Sequence, residues 1–304
     1  MRGLSMKRPV AQRRVMSSKQ PLTVQDVEQY TLRAESLRYI EAFRARLGIE
    51  RSKMRVLDWG CGRGRAVVKL RAHGYDAYGA DVDAVALDNG RRFFVENGDP
   101  NADTRLRLIN ESGYVDFPDG YFHFILSETV LEHVRNIHAV ARELGRLTAL
   151  EGEGFHVFPA WRCVMEAHLR MPFVHWLPKN NLRRLLIAMC TGLGLHARWD
   201  GATNLRGWTQ LYFDYSVDRT YYRRCRELRG IFETGGFGVN YVSIDHPRVA
   251  QHRLLGRCIQ VPLLRKRVEW LLLNFNVVEM LTTKQPRADG SIDGKAATET
   301  LMTE

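Results

Sequence analysis

Apolar residues along this chain follow two rhythms. Short apolar runs at "MRVLDW", "DAYGAD", "LRLIN", "GYFHFILS" and "GEGFHVFPA" are bounded by glycines and acids. Runs of that length suit strands covered on both faces. Between them, "RAVVKLRAHG", "DAVALDNGRRFFVENG" and "RNIHAVARELGRLTA" repeat their apolar positions three and four residues apart, which predicts helices with one buried side. Parallel neighbours need a crossover, normally a helix, so the alternation predicts a doubly wound α/β sheet.

Ahead of this unit, Leu32, Leu37, Ile40, Phe43 and Leu47 suit one amphipathic helix stopped by Gly48. After Trp161 the rhythm breaks. Residues 162–218 are rich in Trp, His, Arg and Pro, with one helical piece at "NLRRLLIAMC". The stretch is too long for a simple connection and reads as a cap inserted between the fifth strand and the following helix. The rhythm resumes with the helix "TYYRRCRELRGIFETGGF" and the strand "GVNYVSI". A basic helix "RLLGRCIQVPLLRKRVEWLLL", with its proline read as a kink, leads to a last strand "FNVVEMLTTKQ". The expected organisation is a disordered basic tail over 1–20, one domain over 21–286 and a disordered polar tail over 287–304. Inside the domain, 21–53 form a helical lead, 54–161 the ligand-binding half, 162–218 the cap and 219–286 the closing helices and strands.

Charge changes this picture once it is divided. The net +11 of the 304 residues is uneven: 54–160 hold 12 basic and 16 acidic side chains, whereas 161–230 hold 12 and 5. An acidic half is thus joined to a basic one, a field that favours anionic partners such as phosphorylated small molecules, nucleic acid or lipid headgroups. The most apolar stretch, "VEWLLLNFNVV", is interrupted by Asn274 and Asn276 and is too short to span a bilayer. The first twenty residues lack the apolar segment of a secretory signal. Five cysteines show neither pairing nor zinc-ligand spacing, so a reducing, cytoplasmic setting is expected.

The candidate chemistry begins at "VLDWGCGRGR", where Gly60, Gly62 and Gly64 follow a strand. Glycines there allow a tight turn and bring backbone N–H groups to a ligand at the next helix. The dinucleotide fingerprint has a different spacing, G-x-G-x-x-G, and Arg65 occupies the place of its third glycine. Asp58 beside the turn suits an ammonium or sulfonium ligand better than a diphosphate. Asp81, 17 residues past Gly64, ends the second strand where an acid can accept ribose hydroxyls. Glu111 and Ser112 end the third, where the sheet edge could meet a purine.

Together, "VLDWGCGRG", "YGADVDAVAL" and "FPDGYFHFILSETVLEHV" resemble the class I S-adenosylmethionine-dependent methyltransferases, most closely the small-molecule branch with Leu-Glu-His-Val after the fourth strand. The resemblance covers residues 54–160, and the last strands weakly. It implies a Rossmann-like, seven-stranded, mostly parallel sheet whose last pair forms a hairpin. It implies S-adenosylmethionine as cofactor, leaving as S-adenosylhomocysteine. By position, Asp58, Trp59, Gly60, Cys61, Gly62 and Gly64 would receive the methionine part and Asp81 with Val82 the ribose. Glu111 and Ser112 would meet the adenine, with Ser127 closing the site. The chain departs from the pattern at His123, where the family has aspartate, and at Trp59, expected to reshape the pocket.

Methyl transfer to a hydroxyl or amine needs alignment and a base. Candidates are His133, Glu128, and the cap's Glu166, His168 and His175; Glu132 reads as a structural partner at a helix start. No helix-spaced histidine pair supports a metal, so none is expected. The expected acceptor is small or lipid- or glycan-linked, anionic, and methylated at oxygen. An RNA or protein methyltransferase using the basic tail and cap, and a non-catalytic binding module, are the alternatives.

Overall fold

The computed structural model describes residues 20–199 and 201–286, so both expected tails lie outside the described residues apart from Gln20. Helices α1 (Val24–Glu28) and α2 (Ala34–Leu47) lead into β1 (Arg55–Trp59). The single lead helix read from the sequence is two. Thr23 opens the first with a reciprocal cap to Asp26, and the chain is extended again at Arg33. Alternation then follows with α3 (Arg65–Ala72), β2 (Asp76–Asp81), α4 (Ala84–Glu96), a short α5 (Ala102–Arg105), β3 (Leu106–Leu108), β4 (Phe122–Glu128), α6 (Ile137–Leu147) and β5 (Thr148–Pro159).

Beyond β5 come a two-stranded ribbon, β6 (Met165–Glu166) with β7 (Met171–Pro172), and two helices, α7 (Asn181–Gly192) and α8 (Leu205–Asp218). The chain closes with α9 (Cys225–Thr234), β8 (Phe237–Tyr241), α10 (Pro247–Gln251), α11 (Leu255–Cys258), α12 (Pro262–Phe275) and β9 (Val277–Lys284). The expected kink at the proline is a helix start instead: Pro262 sits in the first turn of α12, where its missing N–H costs nothing.

The main sheet has seven strands in the order β3-β2-β1-β4-β5-β9-β8, with β9 antiparallel to both neighbours and the other pairings parallel. β8 and β9 pair as the resemblance implies, yet α10, α11 and α12 lie between them, so no tight hairpin joins them. The strand order reverses direction between β1 and β4, which opens a crevice at their carboxyl ends.

Alternate residues of each strand sort to two cores. Leu57, Trp59, Tyr78 and Ile125 pack with α6 and α9 through Ile137, Leu144 and Phe232. Val56, Phe124, Leu126 and Phe155 pack with the helices opposite through Ile40, Phe43, Leu70 and Leu87. The inserted segment has a core of its own around Leu169, Met171, Val174, Ile187, Cys190 and Tyr212. α8 escaped the sequence reading, although Asn204 caps it and Trp208, Tyr212 and Tyr215 recur at helical spacing.

Candidate functional site

The glycine turn is left-handed at all three glycines: φ is +85° at Gly60, +54° at Gly62 and +79° at Gly64. The N–H groups of Gly60 and Cys61 donate to the Ala80 carbonyl at 2.7 and 3.1 Å, tying the turn to β2. Gly62 N–H donates to Asp81 Oδ2 at 2.7 Å, and Asp83 N–H to Oδ1 at 2.9 Å. A Cβ at Gly62 would meet nothing within 4 Å, so the turn leaves open space above it. At Gly60 the same Cβ would lie 2.4 Å from Val130 Cγ2. The turn therefore packs directly against the Val130–His133 segment.

Asp58 is buried at the end of β1, paired in register with Gly79 and Leu126. Burial, then the carboxylates of Glu128 and Asp81, push it up to about 8, and Arg65 opposes them. Burial also raises Asp81, with the N–H groups of Asp83 and Gly62 working against it. An acidic crevice of this kind attracts a cation.

Other expected cofactor residues are placed differently. Trp59 lies in the core with its ring buried, so it does not reshape the crevice. Cys61 turns its thiol onto the Cα of Gly79, where an added Cβ would stand 2.6 Å from its Sγ. Ser127 is fully buried and bonds His156 Nδ1 at 2.8 Å on the α6–α9 face. Val82 is exposed beyond β2, offering an apolar surface beside Asp81. Glu111 and Ser112 lie exposed in the loop after β3, where Ser112 donates to Asn110 Oδ1 at 2.6 Å. Two arginines of the turn proved to hold the lead segment. Arg63 donates to the carbonyls of Gln20 and Pro21, and Arg65 lies 4.9 Å over the Tyr30 ring. His123 accepts the Arg55 N–H at 3.0 Å at the far end of β1.

Three of the five base candidates converge. His133 closes a 3-10 turn after β4, and its Nδ1–H donates to the Arg219 carbonyl at 2.6 Å. Its Nε2 stands 3.2 Å from His168 Nε2, and His168 Nδ1 faces Glu166 Oε1 at 3.0 Å. Glu166 also accepts the Tyr222 hydroxyl at 2.6 Å and the N–H groups of His168 and Leu169. Burial lowers His133. Burial opposes ionisation of Glu166 and His168 too, but their mutual contact outweighs it, lowering Glu166 and raising His168. Glu128 stands apart, held by the Ser36 hydroxyl and by Arg33 at 3.6 Å. Glu132 is not the structural partner expected. It is 3% exposed, neither oxygen has a hydrogen-bond partner among the described residues, and burial pushes it up to about 7.

A methyltransferase-domain family model matches residues 31–239. The chain belongs to this family. No curated protein matches it by sequence. Among solved structures it is similar to phosphoethanolamine N-methyltransferase 2 of Haemonchus contortus in complex with S-adenosyl-L-methionine, at 11% identity and a TM-score of 0.44. That match covers 82% of this chain, which spans only 53% of the Haemonchus chain. Geranyl diphosphate methyltransferase in complex with GPP and sinefungin is 14% identical, with a TM-score of 0.46 over 82% of this chain and 78% of that one. A Mesorhizobium loti S-adenosylmethionine-dependent methyltransferase is 15% identical, with a TM-score of 0.45 over 80% and 96%.

The methyltransferase carries one more feature that the sequence reading missed. A cavity of about 320 Å³ beside the cluster is lined by His175, Lys179, Arg183, Thr220 and Tyr221 to Arg223, with Glu227. Its cations are fixed by carbonyl groups: Lys179 on Val217 and Thr220, Arg183 on Leu177 and Ser216, Arg223 on Tyr221 and Arg135. Carbonyl partners orient Lys179 and Arg183 without neutralising them, whereas Arg223 Nε also stands 3.8 Å from Oε1 of Glu227, the one acid among the lining residues. His175, its ring 4.4 Å from that of Tyr222, is pushed down to about 4 by burial and serves as a neutral wall. Lys179 and Arg183 reaching the carbonyls of Ser216, Val217 and Thr220 build this cavity, and no local motif announces it.

Proposed function

We propose that this methyltransferase acts on the oxygen of a small anionic acceptor seated between the Leu131–His133 turn and the cap. The carrying observation is that the positively charged cavity and the His133–His168 pair share one wall: Tyr222 lines the cavity and donates to Glu166. Asp58, the glycine turn and Asp81 would hold the cofactor's methionine part and ribose, and Val82 would cover one face of the adenine. The fit is chemical. Each Asp81 oxygen accepts one N–H and keeps a lone pair, so the carboxylate can take two vicinal hydroxyls. Bound S-adenosylmethionine supplies an electrophilic methyl carbon and is left as S-adenosylhomocysteine, the acceptor oxygen gaining the methyl and releasing one proton.

The residues of the chain do the rest. Lys179 and Arg223 would orient the acceptor's anionic group, and the cap's aromatic core would exclude water. The acceptor's proton is shed at the His133–His168 cluster. Incubation with methyl-labelled S-adenosylmethionine and paired acceptors, each hydroxy compound with and without a phosphate or carboxylate, tests this reading. Label should enter the anionic member at oxygen, and Arg223→Ala should raise KM more than it lowers kcat. Equal labelling of neutral and anionic partners would refute it.

One observation favours a lipid-linked acceptor as the second reading. Among the described residues no helix is long and apolar enough to cross a membrane. Yet α12 exposes Leu263, Lys266, Arg267, Trp270 and Leu271 along one stripe, the pattern of a helix lying on an anionic lipid surface. Co-sedimentation with phosphatidylglycerol vesicles that Trp270→Ser abolishes would support it; no sedimentation would remove it.

A further inference from the structure

The facing imidazoles pose a question of protons. His133 Nδ1 must carry a hydrogen, because its partner at 2.6 Å is a backbone carbonyl. His168 Nδ1 faces a carboxylate already fixed by Tyr222 and two backbone N–H groups, so it also carries one. In the neutral rings both Nε2 atoms then present lone pairs to each other across 3.2 Å. The facing lone pairs are relieved when one Nε2 takes a proton and donates it to the other, or when both ligate one metal ion. Beside them, Glu132 Oε1 stands 3.9 Å from His133 Nε2, on a carboxylate 3% exposed whose oxygens have no hydrogen-bond partner among the described residues.

We propose that Glu132, His133 and His168 hold one divalent transition-metal ion, with a coordination position left for the acceptor's oxygen. The three donor atoms lie within 4.8 Å of one another. Atoms bound about 2.0–2.2 Å from a shared ion in tetrahedral array would stand about 3.3 Å apart, so small side-chain movements complete the site. Both histidines already make the outer contacts that metal-binding imidazoles make, one to a carbonyl and one to a carboxylate. Two imidazoles and one carboxylate suit Zn²⁺, Co²⁺, Fe²⁺ or Mn²⁺ better than Mg²⁺ or Ca²⁺.

The second His-and-carboxylate group, Glu35, His246 and Glu279, shows the contrast. His246 Nδ1 accepts the Arg248 N–H, so its Nε2 carries the hydrogen and donates it to Glu35 at 2.9 Å. No lone pair remains there for a metal. The sequence offered no helix-spaced pair because the two ligating histidines come from different segments, one after β4 and one in the cap.

The ion would lower the pKa of a coordinated hydroxyl, whose proton passes to solvent. That catalytic use rests on the acceptor reading above; the metal site itself does not. The test uses the full chain stripped with chelator and titrated with Co²⁺ alone. Visible d–d absorption saturating at one ion per chain is expected, lost in Glu132→Gln and His168→Gln. Glu166→Gln, acting through His168, should weaken binding about 10- to 100-fold. No absorption from the unsubstituted chain, or absorption unchanged in the ligand variants, overturns the site. S-adenosylhomocysteine binding by the same samples reports folding and separates the two readings. A chain that binds it without cobalt rejects only the metal. A chain that binds cobalt without it rejects only the methyltransferase site.

Discussion

Gly62 donates its N–H to Asp81 Oδ2 at 2.7 Å, which makes the turn after β1 and the acid ending β2 a single unit. The bond orients the carboxylate before any ligand arrives. Its removal should therefore be felt in the empty protein. Asp81→Ala leaves the N–H groups of Gly62 and Asp83 without their acceptor and should cost about 1–3 kcal/mol in urea unfolding. Asp81→Asn keeps one acceptor oxygen but turns an amide NH₂ toward the other N–H, and should cost about half of that.

Gly60 packs the turn after β1 against Val130, and so against the Leu131–His133 turn. Gly60→Ala places a methyl 2.4 Å from Val130 Cγ2 at a φ of +85°. Overpacking and left-handed strain together should destabilise the protein by about 2–4 kcal/mol. Val130→Ala in the same chain should recover the packing part and leave the backbone part. Full additivity in the double-mutant cycle would show that the two residues do not press on each other.

On the proposed cofactor seat, Asp58 would give binding a pH dependence. Its carboxyl, raised to about 8 by burial and by Glu128 and Asp81 with Arg65 opposing, must ionise to meet a sulfonium or ammonium group. The bound cation lowers that pKa, so affinity for S-adenosylmethionine should fall as the pH drops below 8, approaching tenfold per unit. Calorimetry across pH 6 to 9 measures the slope, and Asp58→Asn should flatten it.

His156 couples stability to pH in the core. It accepts the Ser127 hydroxyl at Nδ1 and donates from Nε2 to Thr282, which passes its own hydrogen to Gly154. Burial pushes its pKa down to about 3, against about 6.5 in the unfolded chain. The unfolded state therefore binds the extra proton first, and stability falls as pH drops from 6.5 toward 3. Between pH 7.5 and 5.5 the loss from this group should be about 1.4 kcal/mol. Urea melts of His156→Gln should lack that portion of the loss.

Much of the fold was legible because parallel strands and crossover helices leave strong periods in the sequence. The turn at Gly60–Gly64 and the acid at Asp81 were legible for the same reason: local backbone geometry demands those residue types. Residues whose roles depend on which core their side chain enters were not. Trp59 and Ser127 sit beside Asp58 and Glu128 in the strands but point to the opposite face, and alternation of strand side chains decides that. The cluster of Glu132, His133 and His168 escaped because its parts are 35 residues apart and meet only when the cap packs down. α8 was missed for another reason, since its aromatic residues masked a helical period that Asn204 opens.

The central claim is that the crevice between β1 and β4 seats the cofactor, with the Asp81 carboxylate on its ribose. Calorimetric titration of the full chain and of Asp81→Asn with S-adenosylhomocysteine tests this most directly. Asparagine has a single side-chain oxygen, so it cannot accept both backbone N–H groups and both hydroxyls. The unsubstituted chain should bind one equivalent, and Asp81→Asn, still folded in urea melts, should bind about 10- to 100-fold more weakly. Equal affinity in the two proteins, or no heat from the unsubstituted chain, would contradict the account.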